Sequence, residues 1–358
     1  MNTIPVVSIV TPSLNQGKYI EETIRSVLSQ EGDFYLDYIV IDGVSTDNSL
    51  DVIKKYDTLV RAGSYPVRCR GIEYRWISER DQGQSEAINK GFSMVRGEIA
   101  AYLNSDDTYS PGSVQQAVNC FREHPKIGLV HGDGYSIMEE GSRKYYRYPY
   151  TFTLKCLKKG YNLSQPSVFV RKKVLDKVGP LDTRLHFTMD YDWFVRIAYQ
   201  FRGKYINFPL GNCRHHACSK TYDKILPDFR AEMLLLIRKY GGARSFVRAF
   251  GEDVLQYTQG RQLTHESSFG MLKSAVGKRM EAIDFPIREN LFLAGYAYFF
   301  LCDAIIVAHR DRKRAIQDCR FVLRSAPSLF LSYDGLVVFL KLLFPEKQYT
   351  YLKNHLKR

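Results

Sequence analysis

No two of the seven cysteines stand in C-x-x-C spacing. An odd count without a framework excludes a disulfide scaffold and a structural zinc site, and reduced thiols on the cytosolic side are expected. The segment Met1 to Val10 lacks a basic start followed by an apolar core, so no signal peptide is read there. No G-x-G-x-x-G follows the first β-branched run, which excludes a Rossmann-type dehydrogenase. Zinc-finger, RNP-type and long basic-tail signatures are missing too, so no nucleic-acid partner is expected. Neither internal repeats nor low-complexity linkers break up the 358 residues.

What remains is an ordinary globular composition, 45% hydrophobic and 25% charged, with length for one large α/β domain and a smaller appendage. Aromatics reach 13%, which suits packing against sugars, nucleobases or a membrane surface. The formal net charge is +13, and about eight of those excess charges fall after residue 221. A surface of that sign attracts phosphorylated substrates and anionic phospholipid.

Patterning along the chain alternates strand and helix. Val6 to Val10 reads as a buried strand stopping at Thr11-Pro12-Ser13, and Glu21 to Gln30 as a helix. Strands are expected at Tyr38–Ile41, Tyr74–Ser78, Ile99–Leu103 and Ile127–His131, with helices at Ser49–Tyr56, Gln84–Val95 and from Pro111 to Glu123. Residues 58 to 73 read as an irregular basic insertion. Successive βαβ units imply a parallel sheet whose strand ends carry polar clusters, the edge where open α/β sheets bind ligands. From about residue 225 the pattern becomes helical. Its two apolar stretches, Leu291–Ala308 and Leu329–Phe344, read as too short or too charge-broken to span a bilayer, which takes ~20 apolar residues.

Five clusters could carry chemistry. Asn104-Ser105-Asp106-Asp107 places carboxylates past a strand end, a seat for a hard divalent cation or simply a helix cap or Asx turn. Asp42, past another strand, could accept from a base or ribose, or make a turn with Gly43. Glu79 to Ser85 supplies many polar side chains, of which Gln84 or Ser85 could cap the next helix. Asp190, in Met189-Asp190-Tyr191-Asp192-Trp193, sits at a helix start, as a general base or as a cap. Arg214-His215-His216 with Ser219-Lys220-Thr221 offers an imidazole for a metal and cations for phosphate.

Taken in order, VSIVTPSLNQGKYIEETIRSVLSQ, IVIDGVSTDNSLDVIKKY, WISERDQGQSEAINKGF, GEIAAYLNSDDTYSPGSV, QPSVFVRKKVLDKVGPLD and MDYDWFVRIA resemble the family 2 glycosyltransferases of the GT-A fold, over roughly residues 5 to 221. The resemblance implies an α/β, Rossmann-like nucleotide-diphospho-sugar transferase: a mostly parallel central sheet flanked by helices in residues 1–221, then an α-helical region in 222–358. It implies that Thr11, Pro12 and Asp42 line a nucleoside pocket and that Asp81, Asn104 and Ser105 help hold the nucleotide sugar. Asp106, in the place of the family's DXD motif, and His216 would contact Mn²⁺ or Mg²⁺, and Asp190 would be the catalytic base. Two departures stand out: Asn104 replaces the first Asp of DXD, and Met189 replaces a Glu that normally precedes the base.

The implied reaction is an inverting transfer of a sugar, UDP-linked as first choice, to an acceptor hydroxyl during surface polysaccharide or glycolipid assembly. A nucleotide-sugar-binding protein that has lost activity is the alternative. Expected partners are the donor and a glycan or lipid-linked acceptor. The helical tail, with Arg310, Arg312, Lys313 and Arg314 after an apolar stretch, either packs as a bundle, with an oligomer contact, or holds the inner face of a membrane.

Overall fold

The computed structural model describes residues 4–147, 152–158, 163–217, 219–220, 227–260, 264–308, 310–343, 346 and 349. Thr221 and Phe344 lie outside them, as does the expected boundary at 221/222. The chain divides into two compact units, Met1–Asp223 and Lys224–Arg358.

In the first unit the β-branched run at the N-terminus becomes β1 (Val6–Ser13), three residues longer than the apolar pattern, because Thr11, Pro12 and Ser13 continue the pairing with the next strand. The order continues α1 (Ile20–Leu28), β2 (Tyr35–Asp42), α2 (Ser49–Arg61), β3 (Gly71–Ser78), α3 (Gln84–Ser93), β4 (Ile99–Tyr102), β5 (Thr108–Tyr109), α4 (Ser113–Glu123) and β6 (Leu129–Met138). Then come β7 (Arg143–Tyr146), α5 (Leu154–Leu157), a 3-10 turn (Gln165–Ser167), β8 (Phe169–Arg171), α6 (Lys172–Val178), α7 (Met189–Gln200), β9 (Gly203–Pro209) and β10 (Gly211–His215).

Strands run β3-β2-β1-β4-β8-β6-β10-β5, with β7 and β9 also on β6. The first four are mutually parallel, while β8 is antiparallel to both its neighbours. The α/β sheet with flanking helices that the resemblance implied is thus present, parallel from β3 to β4 and mixed beyond it. The segment 58–73 is more ordered than its composition suggested: Thr58–Arg61 completes α2, and Gly71–Glu73 opens an edge strand paired with Tyr35–Asp37. A core shared by the sheet with α1, α2 and α4 includes Val7, Ile9, Ile24, Leu28, Phe34 and Phe121. Register matters most for the site. Ser13, Asp42 and Ser78 end β1, β2 and β3 in one row, and Leu103 follows β4 with its N–H on the Val10 carbonyl.

One core group does not fit its surroundings. His131 on β6 is fully buried beside Phe152 and Tyr205, and neither ring nitrogen finds a hydrogen-bond partner among the described residues. Burial pushes its pKa down to about 4. The unfolded chain takes up this proton near pH 6.5 and the folded chain only near 4, so the stability associated with neutral His131 is present above pH 6.5 and lost on acidification. Compared with His131→Phe, the wild type should lose on the order of 2–3 kcal/mol more stability between pH 7 and 4 in urea titrations. Equal losses in the two proteins would contradict this.

The second unit is helical: α8 (Pro227–Gly260, kinked where Gly242 adopts φ 82°), α9 (His265–Ile283), α10 (Glu289–Val307), α11 (Arg312–Ser325), α12 (Pro327–Phe330) and α13 (Tyr333–Leu343). Phe246, Phe250, Phe269, Phe292 and Tyr296 interlock α8, α9 and α10. A side chain at Gly251 would meet the Gly295 carbonyl at 2.6 Å, so α8 and α10 touch backbone to backbone. The apolar stretch 291–308 differs from its sequence reading. By length and composition alone, Glu289–Val307 is long and apolar enough to cross a membrane, with mean hydropathy 1.7, although 44% of that window is buried. The Asp303 that interrupts it is ion-paired with Arg314. The other stretch breaks into α12 and α13.

Candidate active site

The carboxyl ends of β1–β4 gather most of the expected residues. Asp42 is fully buried and accepts three hydrogen bonds: Ser45 Oγ donates to Oδ1 at 2.5 Å, and Ser78 Oγ and the Ser45 N–H donate to Oδ2 at 2.6 and 3.1 Å. It therefore holds the loop after β2 in shape. The Thr11 hydroxyl turns inward to receive the Tyr38 O–H at 3.1 Å, and Pro12 is buried, so both shape the floor of this edge. Beside them Asp81 lies against Gly43, where an added Cβ would stand 2.9 Å from its Oδ2; its Oδ1 accepts the Gly83 N–H at 2.9 Å. Thr11, Pro12, Asp42 and Asp81 thus share one corner.

The turn after β4 is fastened from several directions. The Thr23 hydroxyl contacts the Ser105 and Asp107 carbonyls at 2.9 and 2.7 Å, and Ser105 itself is buried. Neither aspartate caps α4, whose cap is Gly112. The pair divides its work. Asp107 points inward, accepting the Arg214 N–H at 2.9 Å, and burial with the neighbouring Asp106 charge holds its carboxyl well above the usual range. Asp106 stays partly open and meets His216, 110 residues away, with Oδ2 3.1 Å from Nε2. Arg214 completes the support, donating to the Asp106 carbonyl at 3.0 Å and to the Glu22 carboxylate. The Tyr19 ring lies tilted against His216 with ring centroids 4.5 Å apart.

Asn104 has a physical reason to be an amide. Its Oδ1 accepts from Gln84 Nε2 at 2.7 Å, while its NH₂ donates to Asp107 Oδ2 at 3.3 Å and Gln165 Oε1 at 3.4 Å. A carboxylate there would lose both donations and set a further acidic group against Asp106 and Asp107. Asn104→Asp should therefore cost about 1–3 kcal/mol at neutral pH, read as a lower urea midpoint. An unchanged midpoint would show the network to be dispensable.

Asp190 opens α7 with its Oδ1 accepting the Tyr191 N–H at 2.7 Å. Trp193, three residues after Asp190 on α7, lies 6.5 Å between ring centroids from Tyr102 at the end of β4, which brings the first turn of α7 to this edge. Sequence reasoning missed how the helix is aimed. Trp193 packs against Phe92 and Tyr102. The segment before α7 is pinned to α3: Ser85 Oγ donates to the Leu185 carbonyl at 3.2 Å, and the Asn89 amide bonds both backbone groups of Leu181 at 2.8–2.9 Å. Neither Gln84 nor Ser85 caps α3; Gly83 holds that position. Asp192 is buried against Arg196 at 2.7 Å, an anchoring pair, and Met189 is a core residue.

A carboxylate oxygen and an imidazole nitrogen facing each other suit a divalent cation by donor chemistry. No group of three or more His, Cys, Asp and Glu that could hold an ion occurs among the described residues, so such an ion would draw further oxygens from a bound phosphate.

A family model described as Glycosyl transferase family 2 matches residues 8–179. An uncharacterised glycosyltransferase of Nostoc sp. is 30% identical over 125 residues, 35% of this chain and 35% of that one. A PGL/p-HBAD biosynthesis glycosyltransferase of Mycobacterium bovis is 28% identical over 196 residues, 54% of this chain and 69% of that one. Among solved structures, S. aureus TarS 1–349 in complex with UDP-GlcNAc matches 90% of this chain and 91% of its own, with a TM-score of 0.55 at 16% identity. That likeness shows the shared GT-A architecture.

Proposed function

The chain belongs, through residues 8–179, to glycosyl transferase family 2, and from that premise we propose that it moves a sugar from a nucleotide-diphosphate donor, UDP-linked, to an acceptor hydroxyl with inversion. The observation that carries the reading is the meeting of Asp106 with His216 in the turn after β4, the strand whose end packs through Tyr102 on Trp193 in the helix that carries Asp190. The fold neighbour TarS holds UDP-GlcNAc, which is why UDP is the nucleotide of choice.

Thr11, Pro12, Asp42 and Asp81 form the nucleoside corner, and Asn104 and Ser105 shape the turn under the diphosphate. Asp106 and His216 are the residues that would hold Mn²⁺ or Mg²⁺, and such an ion supplies positive charge against the departing diphosphate. Asp190 takes the acceptor proton as the new C–O bond forms. The anomeric carbon passes through an oxocarbenium-like state, and inversion places Asp190 across the sugar from the Asp106 turn. At the N-terminus of α7 the helix dipole favours the ionised carboxylate that a base requires. Residues 1–221 are the proposed catalytic domain. Residues 222–358 pack as a helical region, form an oligomer contact, or attach to an anionic membrane surface, with surface polysaccharide or glycolipid assembly as the setting.

A panel of nucleotide sugars, assayed with and without Mn²⁺, tests this. Metal-stimulated transfer or slow donor hydrolysis with a UDP-sugar is the expected result. Donor binding with no turnover under any condition would favour the inactive binding protein, and no binding at all would remove both readings.

A further inference from the structure

We propose that the outer face of α11 docks this protein on an anionic phospholipid bilayer. This rests on the membrane reading of the second unit and names the surface that makes the contact. At about 100° per residue, Arg312, Leu323, Ile316, Arg320, Lys313 and Arg324 fall in that angular order within an arc of roughly 120°. The opposite side, Ala315, Asp318, Cys319 and Val322, is buried. Two aliphatic side chains therefore stand in solvent among four cations: Ile316 is 38% exposed and Leu323 48% exposed.

Charge use sorts the basic residues by side. Arg314, off the arc, is ion-paired with Asp303. None of Arg312, Lys313, Arg320 and Arg324 has an ion-pair partner among the described residues. The acidic residues of this segment are turned to other tasks: Asp311 caps the helix by accepting the Arg314 N–H at 3.0 Å, and Asp318 is buried. An arc with cations, aliphatics and no carboxylate complements an interface that has anionic headgroups outside and acyl chains beneath. A soluble polyanion would satisfy the cations and leave Ile316 and Leu323 in water, which is why a bilayer is the occupant.

The full-length protein should co-sediment with vesicles of phosphatidylcholine and phosphatidylglycerol and leave those of phosphatidylcholine alone, with partitioning that falls as salt rises. Arg320→Gln with Arg324→Gln should weaken partitioning by about tenfold or more, whereas Arg320→Lys with Arg324→Lys should retain it. Ile316→Ser with Leu323→Ser should weaken it by about tenfold at every salt concentration. All four positions are exposed, so folding is expected to survive, and turnover on a soluble acceptor gives the control. Anionic-vesicle binding that none of these variants changes would overturn the α11 face and leave the membrane reading intact. Loss on charge removal alone would overturn bilayer insertion in favour of simple polyanion attraction. No binding to either vesicle would remove both the face and the membrane reading.

Discussion

Asp190→Asn should lower turnover by about 10²–10⁴-fold while leaving donor affinity nearly unchanged. The substitution keeps the shape of the side chain and its oxygen for the Tyr191 N–H, yet removes the lone pair and charge that accept the acceptor proton. It leaves undisturbed Trp193, which fixes the helix against Phe92 and Tyr102. Fold and donor corner should thus survive with the chemical step gone. Rates measured with saturating donor and acceptor, alongside donor binding by calorimetry, separate the two effects. Near-normal turnover with intact binding would mean that another group takes the proton.

A second large loss is expected at the turn after β4. Asp106→Ala should reduce kcat/KM by about 10²–10³-fold and blunt the response to added Mn²⁺, since it removes the open carboxylate of the Asp106–His216 pair. His216→Ala deletes the other half. If the two residues serve one ion, the double variant should be little worse than either single one, because their effects are not additive. The neighbouring Asp107 is a control of a different kind. Its carboxyl is buried on the Arg214 backbone N–H, so its loss should show first as instability of the turn. Additive losses for Asp106 and His216 with an unaltered metal response would separate their roles.

How much of this could be read in advance depends on how local each feature is. The apolar runs that became β1, β2 and β4 are short and β-branched or aliphatic, and they sit in the centre of the sheet where period and burial agree. β3 and β6 run beyond their expected bounds because Gly71-Ile72-Glu73 and Gly132-Asp133-Gly134 carry glycine and charge, which read as loop; pairing to neighbouring strands overrides that preference. Asp42, Asp81, Asp106 and Asp190 were visible as acidic residues past strand ends or at a helix start. Their environments were not. Nothing local distinguishes Asp106, partly open, from Asp107, buried, and only the fold brings His216 back over 110 residues. Gln84 or Ser85 reads as a helix cap in the sequence, whereas the side chains of Gln84, Asn89 and Ser85 reach Asn104, Leu181 and Leu185. Such long-range hydrogen bonds leave no period in a sequence.

A structure of the protein with an intact UDP-sugar and Mn²⁺ is the direct measurement of whether these carboxylates serve one cleft. Asp106 and His216 are expected on the ion, the uracil near Asp42 and Asp81, and the Asp190 carboxylate facing the anomeric carbon from the side opposite the diphosphate. A donor bound with its ion away from Asp106, or with Asp190 out of reach of the sugar, would contradict it.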